Sequence, residues 1–457
     1  MSGRLIVLSN RIPTDAQPSG GLVVALHEAL SERGGIWIGS SGEQTDDVRD
    51  GLREIASSPY RRLAFDLTQA EHEGFYLGYA NAVLWPLFHH RADLISFEAG
   101  QREAYLGVNK RVAQLIAEVV QPEDTIWVHD YHFLPMAWFL RAQGLTNRIG
   151  FFLHIPFPNA SDTPAFPDRK WLPDWLAAFD IVGLQTRRDV TACLDFLRGE
   201  PGTEMLLRGQ LRRGERTFEV RSFPIGIDVD GFVDAARAAP PKIVNLSPNQ
   251  KLILGVDRLD YSKGIPQRFE AFGHYLSERT EADPQATLIQ IAPPSREDVE
   301  AYQDIREELE RMAGSVNGEH ADLHWTPIRY IRRGYPRETL AGLYRAAHAC
   351  LVTPLADGMN LVAKEFVAAQ DGADPGVLIL SHFAGASEQL GAALMVNPYD
   401  TKEVGEAIQK ALTMSLQERQ ARYLDMISTL RREDISWWTE TFLNALTRRA
   451  PTLPEVA

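Results

Sequence analysis

The sequence predicts an α/β protein of two doubly wound, parallel-sheet halves facing a cleft, and three observations carry that prediction. Short β-branched runs alternate with amphipathic stretches of helical period along the whole chain, the pattern of parallel strands joined by crossover helices. The 457 residues exceed what one hydrophobic core organises. Near residue 240 the alternation stops at AAPPKIVNLSPNQ (238–250), with three prolines in thirteen residues, which reads as an interdomain linker. That break speaks against a single barrel of eight βα units.

In the first half, RLIVLSNRI (4–12), GGIWIG (34–39), DTIWVHD (124–130), RIGFFLHI (148–155), DIVGLQT (180–186) and EVRSFPIGI (219–227) read as strands. Residues 97–120 and 187–199 between them have helical spacing. The second half restarts with strands at 251–260, 286–294, 349–355, 376–383 and 393–398, separated by helices such as 296–314 and 401–415. The tail from 416 to 449 is helical. The expected division is a domain over 1–237, the linker 238–250, a second domain over 251–415, and C-terminal helices over 416–457.

Charge narrows the function classes. Forty-seven basic against 61 acidic residues give −14, so no global field attracts nucleic acid or acidic lipid. An anionic ligand must be held by a few local cations and backbone amides. Two cysteines exclude a disulfide framework and a cysteine-rich zinc site, and fit a reducing compartment. The apolar run Leu5 to Leu8 is too short for a signal-peptide core, and no stretch reaches membrane-spanning length. A soluble, cytoplasmic protein is expected.

In open α/β sheets, ligands bind beyond the carboxyl ends of strands. Arg11 ends the first strand, and Gly20 and Gly21 then open a helix, where backbone can approach a phosphate or sugar without Cβ obstruction. The aromatic helix carrying Tyr76 and Trp85 is mostly core by composition, with sugar stacking as its functional alternative. WVHDYHFLP (127–135) ends a strand with His129, Asp130 and His132. A carboxylate accepting sugar hydroxyls suits Asp130 better than a metal, because no further ligand cluster is present. His154 closes the next strand. FPIGIDVDGFV (223–233) mimics a phosphatase nucleophile, but Phe232 stands where a hydroxyl is needed, so Asp228 or Asp230 reads as a helix cap.

The second half is sharper. Arg258 and Lys263 flank one turn in VDRLDYSKG, a candidate diphosphate clamp, and Arg296 stands at the next strand end. TPLADGMNLVAKEFVAAQ (353–370) runs strand, turn, helix. Its amides near Met359 to Val362 can meet phosphate, Glu365 can accept a ribose diol, and Asp357 a sugar hydroxyl. Jointly these features describe a nucleotide-sugar site.

Seven motifs in order, SNRIP with SGGL, NAVLWP, WVHDYHFLP, GFFLHIPFP, VDRLDYSKG, QIAPPSREDVEAYQ and DGMNLVAKE, resemble the trehalose-6-phosphate synthase family of retaining glycosyltransferases. The similarity runs from about residue 4 to about 440. It implies the B-type fold of two Rossmann-like domains, with the last helix packing back on the first domain. It also implies glucosyl transfer from UDP-glucose, or another nucleoside-diphosphate glucose, to glucose 6-phosphate. By the resemblance Arg11, Tyr76, Trp85, Asp130 and Arg296 hold the acceptor. Gly20, Gly21, Arg258, Lys263, Asp357, Gly358, Met359, Asn360, Leu361, Val362, Ala363, Lys364 and Glu365 hold the donor. Tyr335 lies at the base, and Asp130, His154, Arg258, Lys263 and Asp357 form the catalytic set. No cofactor is required, with Mg²⁺ at most stimulating, and a homo-oligomer, dimer or tetramer, is expected without nucleic-acid or membrane partners.

Three positions depart from the family pattern. Ser40 stands where tryptophan is usual, NASDTPAFPDRKWLP (159–173) replaces an acidic residue and a Leu-Pro pair, and Tyr335 replaces a frequent phenylalanine. The alternatives are a related transferase with another phosphorylated acceptor, such as a cyclitol or glycerol phosphate, and a catalytically silent sugar-phosphate sensor. A nicotinamide oxidoreductase lacks its GxGxxG after a strand.

Overall fold

The computed structural model describes residues 3–13, 21–46, 51–240, 243–247, 249–294 and 300–448. The chain forms two compact units, Met1–Phe223 with Ser436–Ala457, and Pro224–Ile435.

The first unit is built on a ten-stranded sheet: β1 Leu5–Arg11, β2 Gly35–Gln44, β3 Arg53–Ala56, β4 Arg61–Leu67, β5 Thr125–His129, β6 Arg148–Phe152, β7 Ile181–Leu184, β8 Thr203–Met205, β9 Gln210–Arg213 and β10 Arg216–Ser222. Their spatial order is β3-β4-β2-β1-β5-β6-β7-β10-β9-β8. From β4 to β10 the strands pair in parallel, while β3 and the β8–β9 ribbon close the edges antiparallel. Central strands are buried on both faces, as Ile6 to Leu8 and Ile126 to Val128 show; that is why they read as continuous apolar runs. The final helix, Ile435–Thr447, docks on β6 and β7. Gly150 and Gly183 open a furrow there, since a Cβ at either would stand within 2.9 Å of the Phe442 ring.

The second unit carries β11 Gln250–Val256, β12 Gln285–Ile291, β13 Ile328–Ile331, β14 Ala349–Val352, β15 Val377–Ser381 and β16 Leu394–Val396. All pair in parallel, in the order β13-β12-β11-β14-β15-β16. Renumbered within the unit this is 3-2-1-4-5-6, the Rossmann order, with its reversal between β11 and β14. Ile253, Leu288, Leu351 and Ile379 of the sheet pack with Phe269, Phe272, Leu309 and Ile408 from the helices. Among the described residues, no helix is long and apolar enough to cross a membrane.

The unit boundaries differ from the expected ones. Helix Val229–Ala238 packs on helices Arg337–Ala346 and Leu361–Ala369, so the second unit begins before it rather than after the proline-rich segment. Helix Leu416–Arg432 also packs on Leu361–Ala369, and only the last helix belongs to the first unit. Asp228 caps Val229–Ala238, its carboxylate accepting the Gly231 N–H at 2.9 Å, which is the structural role its sequence context suggested.

Candidate active site

In the first unit the strand order reverses between β1 and β5, which places the ends of these neighbours at the ligand-binding position of the sheet. Arg11 ends β1 with its side chain exposed. A pocket beside it is lined by Asn10, Arg11, Ser40, Gly42, Glu43, Gln44, Leu67, His72 and Tyr76. Ser40 lies at its wall with Oγ accepting the Gly42 N–H at 3.2 Å. His72 and Glu43 were not singled out by motif; only their position relative to Arg11 in space brings them in.

Tyr76 reaches the pocket from a π-helix, His72–Leu84, whose wide turns are shown by the Trp85 N–H bonding back to the Ala80 carbonyl. Such turns occur often at functional sites. The Tyr76 ring stacks on His132, with centroids 5.8 Å apart and planes 11° apart. Asn81 donates to the Tyr76 carbonyl at 2.7 Å and accepts from Tyr131 Oη at 2.9 Å. Trp85, only 3% exposed, packs on His89 and Tyr131 beneath this layer. Its ring is therefore a support for the pocket rather than an open stacking face.

Asp130 follows β5 with φ +73°, a conformation rare outside glycine. Its N–H donates to Phe152 O at 2.8 Å, and its carboxylate accepts the His154 N–H at 3.3 Å. The ends of β5 and β6 thus bring Asp130 and His154 together. His154 Nε2 meets His129 Nδ1 at 3.1 Å, sharing one proton. Burial lowers the pKa of His154 to about 3 and holds His129 well below its usual range. Both imidazoles are neutral at neutral pH, so His154 offers this strand end a hydrogen-bonding group and not a cation. His129 and His132 turn to different partners, and no group of three metal-ligating side chains exists among the described residues.

In the second unit the reversal between β11 and β14 holds the remaining groups. After β11, Asp257 is buried against Arg268 at 2.6 Å and Arg258 is exposed. A short 3₁₀ turn, Tyr261–Lys263, follows, capped by Asp260, whose carboxylate accepts the Ser262 N–H at 2.9 Å and Tyr302 Oη at 2.7 Å. The turn ends on Gly264 at φ +63°. A side chain there would also press a Cβ to 2.2 Å from Thr353 O. Leu355 N–H donates to Ser262 O at 2.7 Å, tying this turn to the loop after β14.

Lys263 Nζ contacts Asp357 Oδ2 at 2.6 Å, with side chains 11% and 12% exposed. Asn360 Nδ2 donates to the same oxygen at 3.0 Å. Asn360 adopts φ +74° and precedes helix Leu361–Ala369 without a side-chain cap, so the first amides of that helix keep their donor capacity. Met359, just before the helix, and Ala363, within it, are buried. Glu365 accepts from Tyr344 Oη at 3.1 Å, and burial raises its pKa above the usual carboxylate range. Tyr335, between β13 and helix Arg337–Ala346, has its hydroxyl on Arg333 at 3.0 Å and its ring under that guanidinium at 5.0 Å.

Lys364 and Lys263 have partners that the motifs did not show, and two further expected site residues cannot be placed. Lys364 turns into the interior, bonded to Ile225 O and Gln389, away from the helix N-terminus. Lys263 is already paired with a carboxylate, so it is oriented before any diphosphate arrives. Gly21 opens helix Gly21–Arg33, whereas Gly20 and Arg296 lie outside the described residues.

Cations, uncapped amides and a buried acid at the reversal of a Rossmann sheet, joined to a second unit of similar build, define the class of B-type glycosyltransferases. Within that class the chain belongs to glycosyltransferase family 20, whose profile matches residues 8–448. It is 43% identical over 456 residues to the trehalose-6-phosphate synthase of Enterobacter sp. strain 638, covering 98% of this chain and 96% of that one. Identity with the Cronobacter sakazakii trehalose-6-phosphate synthase is 44% over 459 residues, 99% of this chain and 97% of the relative. Among solved structures, it matches trehalose-6-phosphate synthase of E. coli bound with UDP-2-fluoro glucose at a TM-score of 0.94 and 42% identity, covering 98% and 100% of the two chains. A UDP-forming α,α-trehalose-phosphate synthase of Burkholderia xenovorans in complex with glucose 6-phosphate matches at 0.92 and 43%, with the same coverage.

Proposed function

We propose that this enzyme transfers glucose from UDP-glucose to glucose 6-phosphate with retention of configuration, giving α,α-trehalose 6-phosphate and UDP. One observation carries the reading: the Lys263–Asp357 pair and the uncapped helix Leu361–Ala369 stand together at the strand reversal, as a diphosphate-sugar requires. The substrates of the relatives with 42–43% identity support it. The acceptor is assigned to the pocket around Arg11, Ser40 and Tyr76, with Arg11 meeting the 6-phosphate.

In this reading the bond from the anomeric carbon to the β-phosphate oxygen breaks, and the acceptor hydroxyl attacks from the same face. The acceptor proton passes to the leaving phosphate oxygen. Arg258, Lys263 and the amides of Leu361 to Ala363 meet the charge that grows on that oxygen, which is the condition for raising kcat. Asp357 and His154 orient the transferred glucose, Glu365 the ribose, and Tyr335 the base. Catalysis is then positioning with electrostatic stabilisation, and Mg²⁺ at most stimulates. Both cysteines are buried free thiols, which fits the proposed cytoplasmic setting; a homo-oligomeric assembly is part of the proposal and is checked by light scattering.

The test is UDP release measured across donors and acceptors. Release that requires glucose 6-phosphate supports the proposal. Equal or faster release with a cyclitol phosphate or glycerol phosphate would assign a different acceptor, and donor binding without release would make the protein a sensor.

A further inference from the structure

The chain passes between its two compact units twice, after Phe223 and after Ile435. Within the second unit, one side chain is tied to both passages, directly to the first and through Gln389 to the second. Lys364 lies in helix Leu361–Ala369, next to Glu365, and is fully buried. Its Nζ donates at 2.5 Å to the carbonyl of Ile225, just past the first passage, and at 2.6 Å to Gln389 Oε1. Gln389 Nε2 donates in turn to Glu433 Oε2 at 2.6 Å, just before the second passage. The passages also touch each other. Ile435 N–H donates to Ile227 O at 3.2 Å, and a Cβ on Gly226 would stand 2.2 Å from the Asp434 carbonyl carbon.

Packing alone does not call for an amine here. A methionine of similar length would fill the space without removing an ammonium from water. The two hydrogen-bond acceptors of Lys364 are both neutral oxygens, and burial lowers its pKa to about 7 against the opposing pull of Glu433. What the amine supplies is a pair of directed bonds, one to the first passage and one that reaches the second through Gln389, from the helix whose N-terminus is assigned to the donor.

We infer that Lys364 is a positioning residue for glucosyl transfer, locking the donor-binding helix to both segments that join the two units. Lys364 touches neither substrate. It sets the path of the passages relative to Leu361–Glu365, so its loss disturbs transfer while leaving the nucleotide contacts in place. The inference rests on the assignment of the nucleotide to this helix.

The experiment compares Lys364→Met, Gln389→Leu and Gly226→Ala with the wild-type full chain. The readouts are UDP affinity by calorimetry, and kcat and KM for UDP-glucose and glucose 6-phosphate. Lys364→Met is expected to lower kcat by about tenfold or more with UDP affinity within about threefold of wild type, the mark of an interaction used in turnover and not in nucleotide binding. Gln389→Leu, which keeps the lysine and cuts only its link to Glu433, should give the same split in weaker form. Combining it with Lys364→Met should add little, because both act through one network. Gly226→Ala, which moves the passages with the lysine intact, should lower kcat likewise. Unchanged kcat in folded Lys364→Met overturns the inference, as does a parallel fall in kcat and UDP affinity. Should Lys364→Met fail to fold, unchanged kcat in both other variants overturns it. Failure of the donor assignment looks different: wild type would not bind UDP, or Glu365→Gln would leave UDP affinity untouched.

Discussion

Replacing Lys263 by alanine separates two contributions of one side chain. Its amine lies 2.6 Å from Asp357, and neither side chain is more than 12% exposed. Removing one partner of such a buried pair costs about 3–5 kcal/mol of stability. The lower end applies here, because Asn360 Nδ2 stays on the Asp357 carboxylate. On the proposed assignment catalysis also loses a fixed cation at the leaving oxygen, and by comparison with an oxyanion-hole donor kcat should fall by about 10²-fold or more. Asp357→Ala has a complementary signature. It leaves Lys263 buried without its carboxylate, and a bound diphosphate can then take the carboxylate's place. Thermal unfolding with and without saturating UDP should therefore show a larger UDP-induced shift in Asp357→Ala than in wild type, and a smaller one in Lys263→Ala. Coupled UDP-release kinetics supply kcat. Near-normal kcat in folded Lys263→Ala without added metal would refute the reasoning, and so would equal UDP shifts in the two variants.

Arg11→Ala should weaken use of glucose 6-phosphate with little change in UDP affinity, since a lost charge-assisted bond of about 1.5–3 kcal/mol is roughly ten- to hundredfold in kcat/KM; unaltered acceptor kinetics would remove Arg11 from the site. Glu365→Gln should weaken UDP binding by about tenfold, on the scale of a hydrogen bond to a charged acceptor, and calorimetry reads this directly. His129 and His154 are neutral in the folded state, with pKa values depressed from 6.5 by burial. Their contribution is fully present above pH 6.5 and is lost as pH falls toward 3, because the unfolded chain takes up the protons that the folded one refuses. Unfolding free energy from urea titrations should fall by up to about 3 kcal/mol per pH unit below pH 6 for the two together. A flat profile there would contradict the buried, neutral pair. Gly264→Ala should destabilise the protein by more than about 1 kcal/mol, combining the left-handed conformation with the approach to Thr353 O.

Both central sheets could be read from the chain because parallel strands buried on two faces leave unbroken apolar runs, as in LIVL and LILGV. The edges could not. RGQLRRGERTFEVRS hides β9 and part of β10 under exposed charge, and β13, IRYI, is only half-buried at its end. The aromatic helix at 72–88 was visible, but its π-turns were not, because nothing in residue type marks a bond to the fifth residue back. The proline break near 240 suggested a domain boundary, yet packing of Val229–Ala238 on helix Leu361–Ala369 places that boundary earlier in the chain. In the site, Lys263, Asp357 and Glu365 followed from strand ends and a helix start. The inward turn of Lys364 did not, since only the geometry of Ile225 and Gln389 distinguishes it from its neighbours. His129 was legible as a strand-end residue, while its bond to His154 required the adjacent pairing of β5 and β6.

Retaining transfer of glucose onto the anomeric hydroxyl of glucose 6-phosphate is tested most directly by the product itself. Wild-type enzyme incubated with UDP-glucose and glucose 6-phosphate, followed by proton and carbon NMR, should yield one disaccharide phosphate in equimolar amount with UDP. Both anomeric centres of that product should be α, with no reducing end. An α,β-linked product, a reducing disaccharide, or free glucose with UDP and unchanged glucose 6-phosphate would contradict the account.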